Sequence, residues 1–301
     1  MKRSEIYNGL INQLNEVTKE LSGEKGYKTI SRYYSACCEF SKFLANEYKL
    51  EKFNNVKAKH IFAYVNNMRE NGKSDSTIRT ALAGIRFMYE KAGGKSILPK
   101  NDRFDFDKRE RGTVNKAWTD KEIEKALSIA KGQGNEKMYF AIKLSSTFGL
   151  RIEETARLRP FQIKDNRIEV KGKGGKVRNI RIETKEEKKA IEELKEYIRA
   201  NCKGKNDYIF SMGDIKATKQ SIEKWIERNR DSFTDKERTK GQTKGKKPMS
   251  ETLSFHGLRY RYAQRRYEEE LRKGSTVKRA KKTVSISLGH NRAEVTNIYL
   301  A

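Results

Sequence analysis

His256 and Arg259, in the run His256-Gly-Leu-Arg259, would share one face of a helix and point an imidazole and a guanidinium at one spot, a cradle for a phosphodiester. A solvated helix face in a basic chain would look the same, so the motif alone is weak. The chain has three His, however, and a second falls in Leu288-Gly-His290, with Tyr299 nine residues further on. Upstream, Arg151 follows Gly149-Leu150, and Glu154 lies one helical turn beyond it. A carboxylate at that distance can hold the fork of an arginine aimed at a phosphate, or it can be an ordinary surface ion pair of little worth. Lys173 sits in the turn Lys171-Gly-Lys-Gly-Gly-Lys176, where a flexible ammonium could reach a DNA backbone or a leaving oxygen. That turn is not a nucleotide-binding loop of the Walker type, because it lacks the four-residue glycine spacing and the following Ser or Thr. A phenol has an unperturbed pKa of about 10, so Tyr299 would need surrounding cations and a proton acceptor to act as a nucleophile. Taken in chain order, these parts would make a phosphate-cutting site whose nucleophile is a tyrosine.

The elements that must position them follow from periodicity. Residues 1–102 read as helices only. Ile30, Tyr33, Tyr34, Cys37, Phe40 and Leu44 recur at helical spacing, as do Ile78, Leu82, Ile85 and Met88 behind Ser74, Asp75 and Ser76, any of which could cap a helix. Two more helices fit near 4–21 and 57–71. The polar, aperiodic run over 103–115 reads as a linker. A second domain, 116–301, opens at Trp118, where Thr119 and Glu122 have the spacing of a capping box. An apolar helix from Met138 to Phe148 should stop at Gly149, and a short one from Arg151 to Leu158 should end at Pro160. Ile168 and Val170, then the basic turn, then Ile180 and Ile182 alternate as a β-hairpin with a basic tip. Helical periods return over 185–201 and 219–229, and the run 236–247, six Lys or Arg against one Glu, reads as an exposed basic insertion.

Composition narrows the class of partner. The 67 Lys and Arg against 40 Asp and Glu give a formal charge of +27 over 301 residues, and a surface of that sign attracts a polyanion, nucleic acid by default. Hydrophobic residues are 35% of the chain, enough at this length for two domains with cores of their own. No apolar run approaches the roughly 20 residues of a membrane span, and no apolar signal region follows the N-terminal charges, so a cytoplasmic protein is expected. Cys37, Cys38 and Cys202 form neither a disulfide framework nor metal-ligand spacing and read as reduced thiols.

Gly149-Leu-Arg-Ile-Glu-Glu154, Val170-Lys-Gly-Lys-Gly-Gly-Lys-Val-Arg178, His256-Gly-Leu-Arg259 and Leu288-Gly-His290 with Tyr299 resemble, in order and spacing, the catalytic signature of the tyrosine recombinases, the phage-integrase family with its Xer-like members. The resemblance covers 116–301. Residues 1–105 resemble the helical core-binding, SAM-like domain that precedes it, through Ser74-Asp-Ser-Thr-Ile78 and the helix to Tyr89.

The resemblance implies a mainly α protein with a small antiparallel β-sheet. It implies that Tyr299 attacks the scissile phosphate to give a 3′-phosphotyrosyl enzyme, and that Arg151, Arg259 and His290 donate to its non-bridging oxygens. Lys173 would protonate the leaving 5′-oxygen, His256 would assist proton transfer with Tyr299, and Glu154 would support Arg151. Lys171, Lys176, Arg178, Lys244, Lys246 and Lys247 are expected to contact DNA. The implied partner is double-stranded DNA carrying a recombination site, bound by a homo-tetramer assembled from monomers; no cofactor and no metal are implied. The implied setting is the prokaryotic nucleoid and the movement of a mobile element. A type IB topoisomerase, acting as a monomer, and a DNA-binding regulator with a decayed site are the alternatives. Family members often continue past the tyrosine with a helix that docks on a neighbouring protomer, whereas this chain ends at Ala301, which leaves the mode of protomer interlocking open.

Overall fold

The computed structural model describes residues 2–21, 26–107, 115–172, 175–236, 253–289 and 293–300. The chain divides into two compact units, Met1–Arg109 and Glu110–Ala301.

The first unit is four helices, α1 (Arg3–Glu20), α2 (Tyr27–Glu47), α3 (Ala58–Glu70) and α4 (Asp75–Lys91). Their apolar stripes meet in a core that includes Leu10, Leu14, Phe40, Leu44, Ile61, Leu82 and Ile85. Of the three possible caps of α4, the structure selects Ser74, whose hydroxyl accepts from the Thr77 amide. Asp75 instead accepts from the Asp107 amide at 2.6 Å. The strip expected to open the linker is therefore docked as far as Asp107. Phe104 is buried in the first core, and Phe106 lies under the guanidiniums of Arg69 and Arg79, at 5.4 and 4.7 Å from its ring centre. The alternation Phe-Asp-Phe-Asp within a polar run was the overlooked signal: two aromatics spaced by two residues can both reach the same surface. Residues 108–114 lie outside the described residues.

The second unit holds α5 (Asp120–Gly132), α6 (Glu136–Phe148), α7 (Ile152–Ala156), the strands β1 (Arg167–Lys171) and β2 (Val177–Arg181), then α8 (Lys185–Asn201), α9 (Ile215–Phe233), α10 (Phe255–Arg272), α11 (Val277–Ser287) and a terminal 3-10 turn, Ala293–Ile298. The fold is thus mostly helical with one antiparallel β-hairpin. The capping box at the start of α5 forms as its spacing requires: the Glu122 carboxylate accepts from the Thr119 amide at 2.7 Å and the Thr119 hydroxyl accepts from the Glu122 amide at 3.2 Å. α9 begins four residues before the periodicity suggested, because Asp214 caps it by accepting from the Ala217 amide at 2.6 Å. α6 is apolar on two sides because it is buried on both. Phe140, Leu144 and Phe148 pack with the hairpin and α8, while Met138, Ala141 and Ile142 pack with α5, α9 and α10. Among the described residues no helix is long and apolar enough to cross a membrane.

Candidate active site

α6 ends at Gly149, which adopts the left-handed conformation, φ 65° and ψ 32°. A side chain there would be strained, and its Cβ would lie 2.4 Å from the Tyr262 ring. The turn delivers Arg151 to the N-cap of α7, with Glu154 on the first turn behind it. The Glu154 carboxylate accepts from the Arg151 amide and from Arg151 Nη1, each at 2.8 Å.

The same carboxylate is gripped from a second side. Arg178 Nη1 donates to Oε1 at 2.6 Å and Nη2 to Oε2 at 2.9 Å, a bidentate pair. A third guanidinium, Arg259, approaches within 4.0 Å. Side-chain exposures are 2% for Glu154, 0% for Arg259, 12% for Arg178 and 26% for Arg151. Burial raises the Glu154 carboxyl pKa, but the Arg178 hydrogen bonds and charge, the Arg151 amide and the Arg259 charge outweigh it and hold the group below the usual carboxylate range. Among the described residues, three buried or half-buried cations thus face one carboxylate, a surplus of positive charge that favours an anion beside them.

Arg259 comes from α10. Its two terminal nitrogens donate to the backbone carbonyls of Gly149 and Leu288, so it ties the end of α6 to the end of α11. The glycine between His256 and Arg259 has a separate cause. A Cβ on Gly257 would lie 2.4 Å from the Lys116 carbonyl oxygen and 2.5 Å from the Trp118 ring, because residues 116–118 cross the first turn of α10. Trp118 locks that crossing by donating to the Ser254 carbonyl at 2.9 Å.

Tyr299 follows the terminal 3-10 turn, and its residue is 6% exposed. Its ring centre lies 4.6 Å from that of Tyr260 and 5.8 Å from that of His256, with the Arg259 guanidinium 5.9 Å from it. Gln264, two turns along α10 from His256, donates to the Tyr299 carbonyl at 3.3 Å. His256 has an open edge to solvent. The protein packed around it, and then Arg259, Arg151 and Lys116, push its pKa down to about 4. At neutral pH it is an uncharged imidazole able to accept a proton.

The structure thus gathers Arg151, Glu154, His256, Arg259 and Tyr299 from α7, α10 and the turn after α11. Lys171 and Lys176 are exposed on the hairpin. Arg178, expected among the DNA-contacting residues, turns inward to Glu154 instead. Lys173, His290, Lys244, Lys246 and Lys247 lie outside the described residues. Tyr260 and Gln264 were missed; as the residues four and eight positions beyond His256 on a helix, they share its face, which was the available signal. Arg178 shares strand parity with Ile180 and Ile182, so alternation had already placed it on the inner face.

Residues 116–301 match the model of the "Phage integrase family", and residues 10–97 that of the "Phage integrase, N-terminal SAM-like domain". No curated protein matches the chain. Among solved structures, a lambda integrase tetramer bound to a Holliday junction is 19% identical with a TM-score of 0.66, over 96% of this chain and 76% of that one. The Tn1549 transposon integrase in complex with transposon right end DNA is 18% identical with a TM-score of 0.61, over 100% and 95%. The XerH site-specific recombinase bound to difH substrate is 20% identical with a TM-score of 0.60, over 96% and 80%. These structures share the fold, and the family model covers well over half of the chain: the chain belongs to the phage integrase family and is a site-specific tyrosine recombinase, an enzyme that cleaves and rejoins DNA strands.

Proposed function

We propose that Tyr299 is the nucleophile and that Arg151, Arg259 and His290 bind the scissile phosphate. The observation that carries this reading is the seating of the Tyr299 ring against both His256 and Arg259, while Arg259 also stands 4.0 Å from the carboxylate that holds Arg151. The phenolic oxygen attacks phosphorus, a bond to Tyr299 forms, and the bond to the 5′-oxygen breaks. Neutral His256 takes the phenol proton, and Lys173 gives a proton to the leaving 5′-oxygen. The phosphotyrosyl bond conserves the energy needed to rejoin a partner strand. Guanidiniums supply the positive charge at the developing pentavalent centre, so the reaction needs no metal ion. Lys171 and Lys176 hold the DNA backbone beside the site, with Lys244, Lys246 and Lys247 along the insertion.

Double-stranded DNA carrying a recombination site is the substrate, and a homo-tetramer assembled on it from monomers is the working form. The domains are taken as 1–102 with the docked strip to Asp107 added, a linker over 108–115 and a second domain 116–301, and the setting as the prokaryotic nucleoid, in integration or excision of a mobile element. Sequencing recombined junctions from cells that express the chain and carry its flanking DNA tests it: two new junctions joining element ends to a target support mobility. Junctions only within duplicated chromosomal sites, or equal junction numbers from Tyr299→Phe, would overturn it.

A further inference from the structure

Arg178 lies on β2 opposite Val170, on the inner face of the hairpin. Its fork occupies both oxygens of Glu154, a carboxylate otherwise shared with Arg151 at 2.8 Å and approached by Arg259 at 4.0 Å. Its stem lies against the turn after α11, where Arg178 Cδ is 3.0 Å from the place a Cβ on Gly289 would take. One side chain therefore touches the carboxylate behind the arginine cluster and the turn that closes it. We infer that Arg178 is a positioning residue for strand cleavage: it saturates Glu154, so that the carboxylate orients Arg151 without neutralising it, and it seats the Gly289 turn.

With Arg178 in place, three cations face one carboxylate, and their surplus positive charge favours the singly charged phosphodiester and the further charge that develops at its pentavalent centre. Without it, a buried carboxylate loses its bidentate partner and must draw the nearest cations, Arg151 and Arg259, onto itself. The phosphate then meets fewer and displaced donors, and a displacement of about 1 Å typically costs on the order of 10²-fold in rate. The defect would arise from Glu154, not from the absence of Arg178 as such, so removing the Glu154 charge should undo it.

This inference rests on the reading of Arg151 and Arg259 as phosphate ligands. The test is single-turnover formation of the covalent adduct on a nicked duplex built on a recovered junction, with duplex affinity and thermal unfolding measured on each variant. Arg178→Met should slow adduct formation about 10²-fold with duplex affinity kept within a few-fold. Arg178→Met combined with Glu154→Gln should be at least about tenfold faster than Arg178→Met alone, since it removes the stranded charge. A double variant no faster than Arg178→Met would overturn the inference and make Arg178 a direct phosphate ligand. If Arg178→Met fails to fold, Arg178→Lys keeps the charge but cannot span both oxygens. It should be about tenfold slow with unchanged duplex affinity, and a wild-type rate would overturn the inference. A wild-type chain that forms no adduct overturns the underlying reading together with this inference, whereas a normal wild-type adduct with an unaffected Arg178→Lys overturns the inference alone.

Discussion

Arg259 and Arg151 are alike in chemistry and unlike in setting, and their alanine variants should differ accordingly. Arg259 is fully buried and donates to two backbone carbonyls. Arg259→Ala should therefore lower stability as well as rate, by about 1–3 kcal/mol for each buried carbonyl left without its donor. Arg151 is half-buried at the start of a five-residue helix. Arg151→Ala should leave the unfolding midpoint nearly unchanged while slowing cleavage by about 10² to 10³, the cost of one preorganised donor. Denaturant unfolding beside single-turnover cleavage separates the two; equal losses of stability would contradict the tie made by Arg259. His256 gives a second prediction at this scale. An ordinary histidine titrates near 6.5, and the surroundings of His256 push it down to about 4. Between these values the unfolded chain binds the extra proton, so the stability that depends on neutral His256 is full above about pH 6.5 and is lost as pH falls toward 4. Nuclear magnetic resonance of its ring protons in the DNA-free chain should give a midpoint near 4; one near 6.5 would show that neither burial nor the cations depress it.

At the scale of elements, Gly257 gives the cleanest test of why the His256-Gly-Leu-Arg259 motif has its form. Gly257→Ala would drive a methyl into the Lys116 carbonyl and the Trp118 ring. Ala117 and Trp118 are buried, so the variant should lose about 1–3 kcal/mol in denaturant unfolding; an unchanged midpoint would mean that residues 116–118 can move away. The elements themselves were largely legible. Capping residues and apolar periods placed α4, α5 and α6, and the alternation of Ile168, Val170, Ile180 and Ile182 placed the hairpin, because each rests on local chemistry. Arg151, Glu154, His256 and Arg259 were legible through their i, i+3 spacing. The direction of Arg178 could be read from its strand parity with Ile180 and Ile182, but its partner could not, because the carboxylate that draws it inward lies 24 residues earlier in sequence. The docking of Phe104 and Phe106 escaped for the same reason: Phe104 meets Phe62 of α3, and Phe106 meets Arg69 of α3 and Arg79 of α4. What the sequence concealed are contacts between elements.

At the scale of the whole molecule, the charge of +27 should dominate affinity for DNA of any sequence. Binding to a random duplex should weaken by about 10³ or more between 50 and 200 mM salt, the loss expected when several phosphates are neutralised. Replacing Lys244, Lys246 and Lys247 with Gln should reduce the logarithmic salt slope by roughly 1 for each phosphate that these lysines neutralise, equally on all duplexes. Fluorescence anisotropy measures both, and an unchanged slope would remove those lysines from the interface. The central claim is that side-chain cations and a tyrosine perform the strand transfer. The most direct measurement incubates the chain, in excess chelator, with a nicked duplex built on a recovered junction and maps any covalent protein–DNA adduct by peptide mass. An adduct at Tyr299 is expected, with a yield unaffected by the chelator, together with a Tyr299→Phe variant that binds the duplex normally and forms none. An adduct on another residue, an undiminished adduct from Tyr299→Phe, or a strict requirement for Mg²⁺ would contradict it.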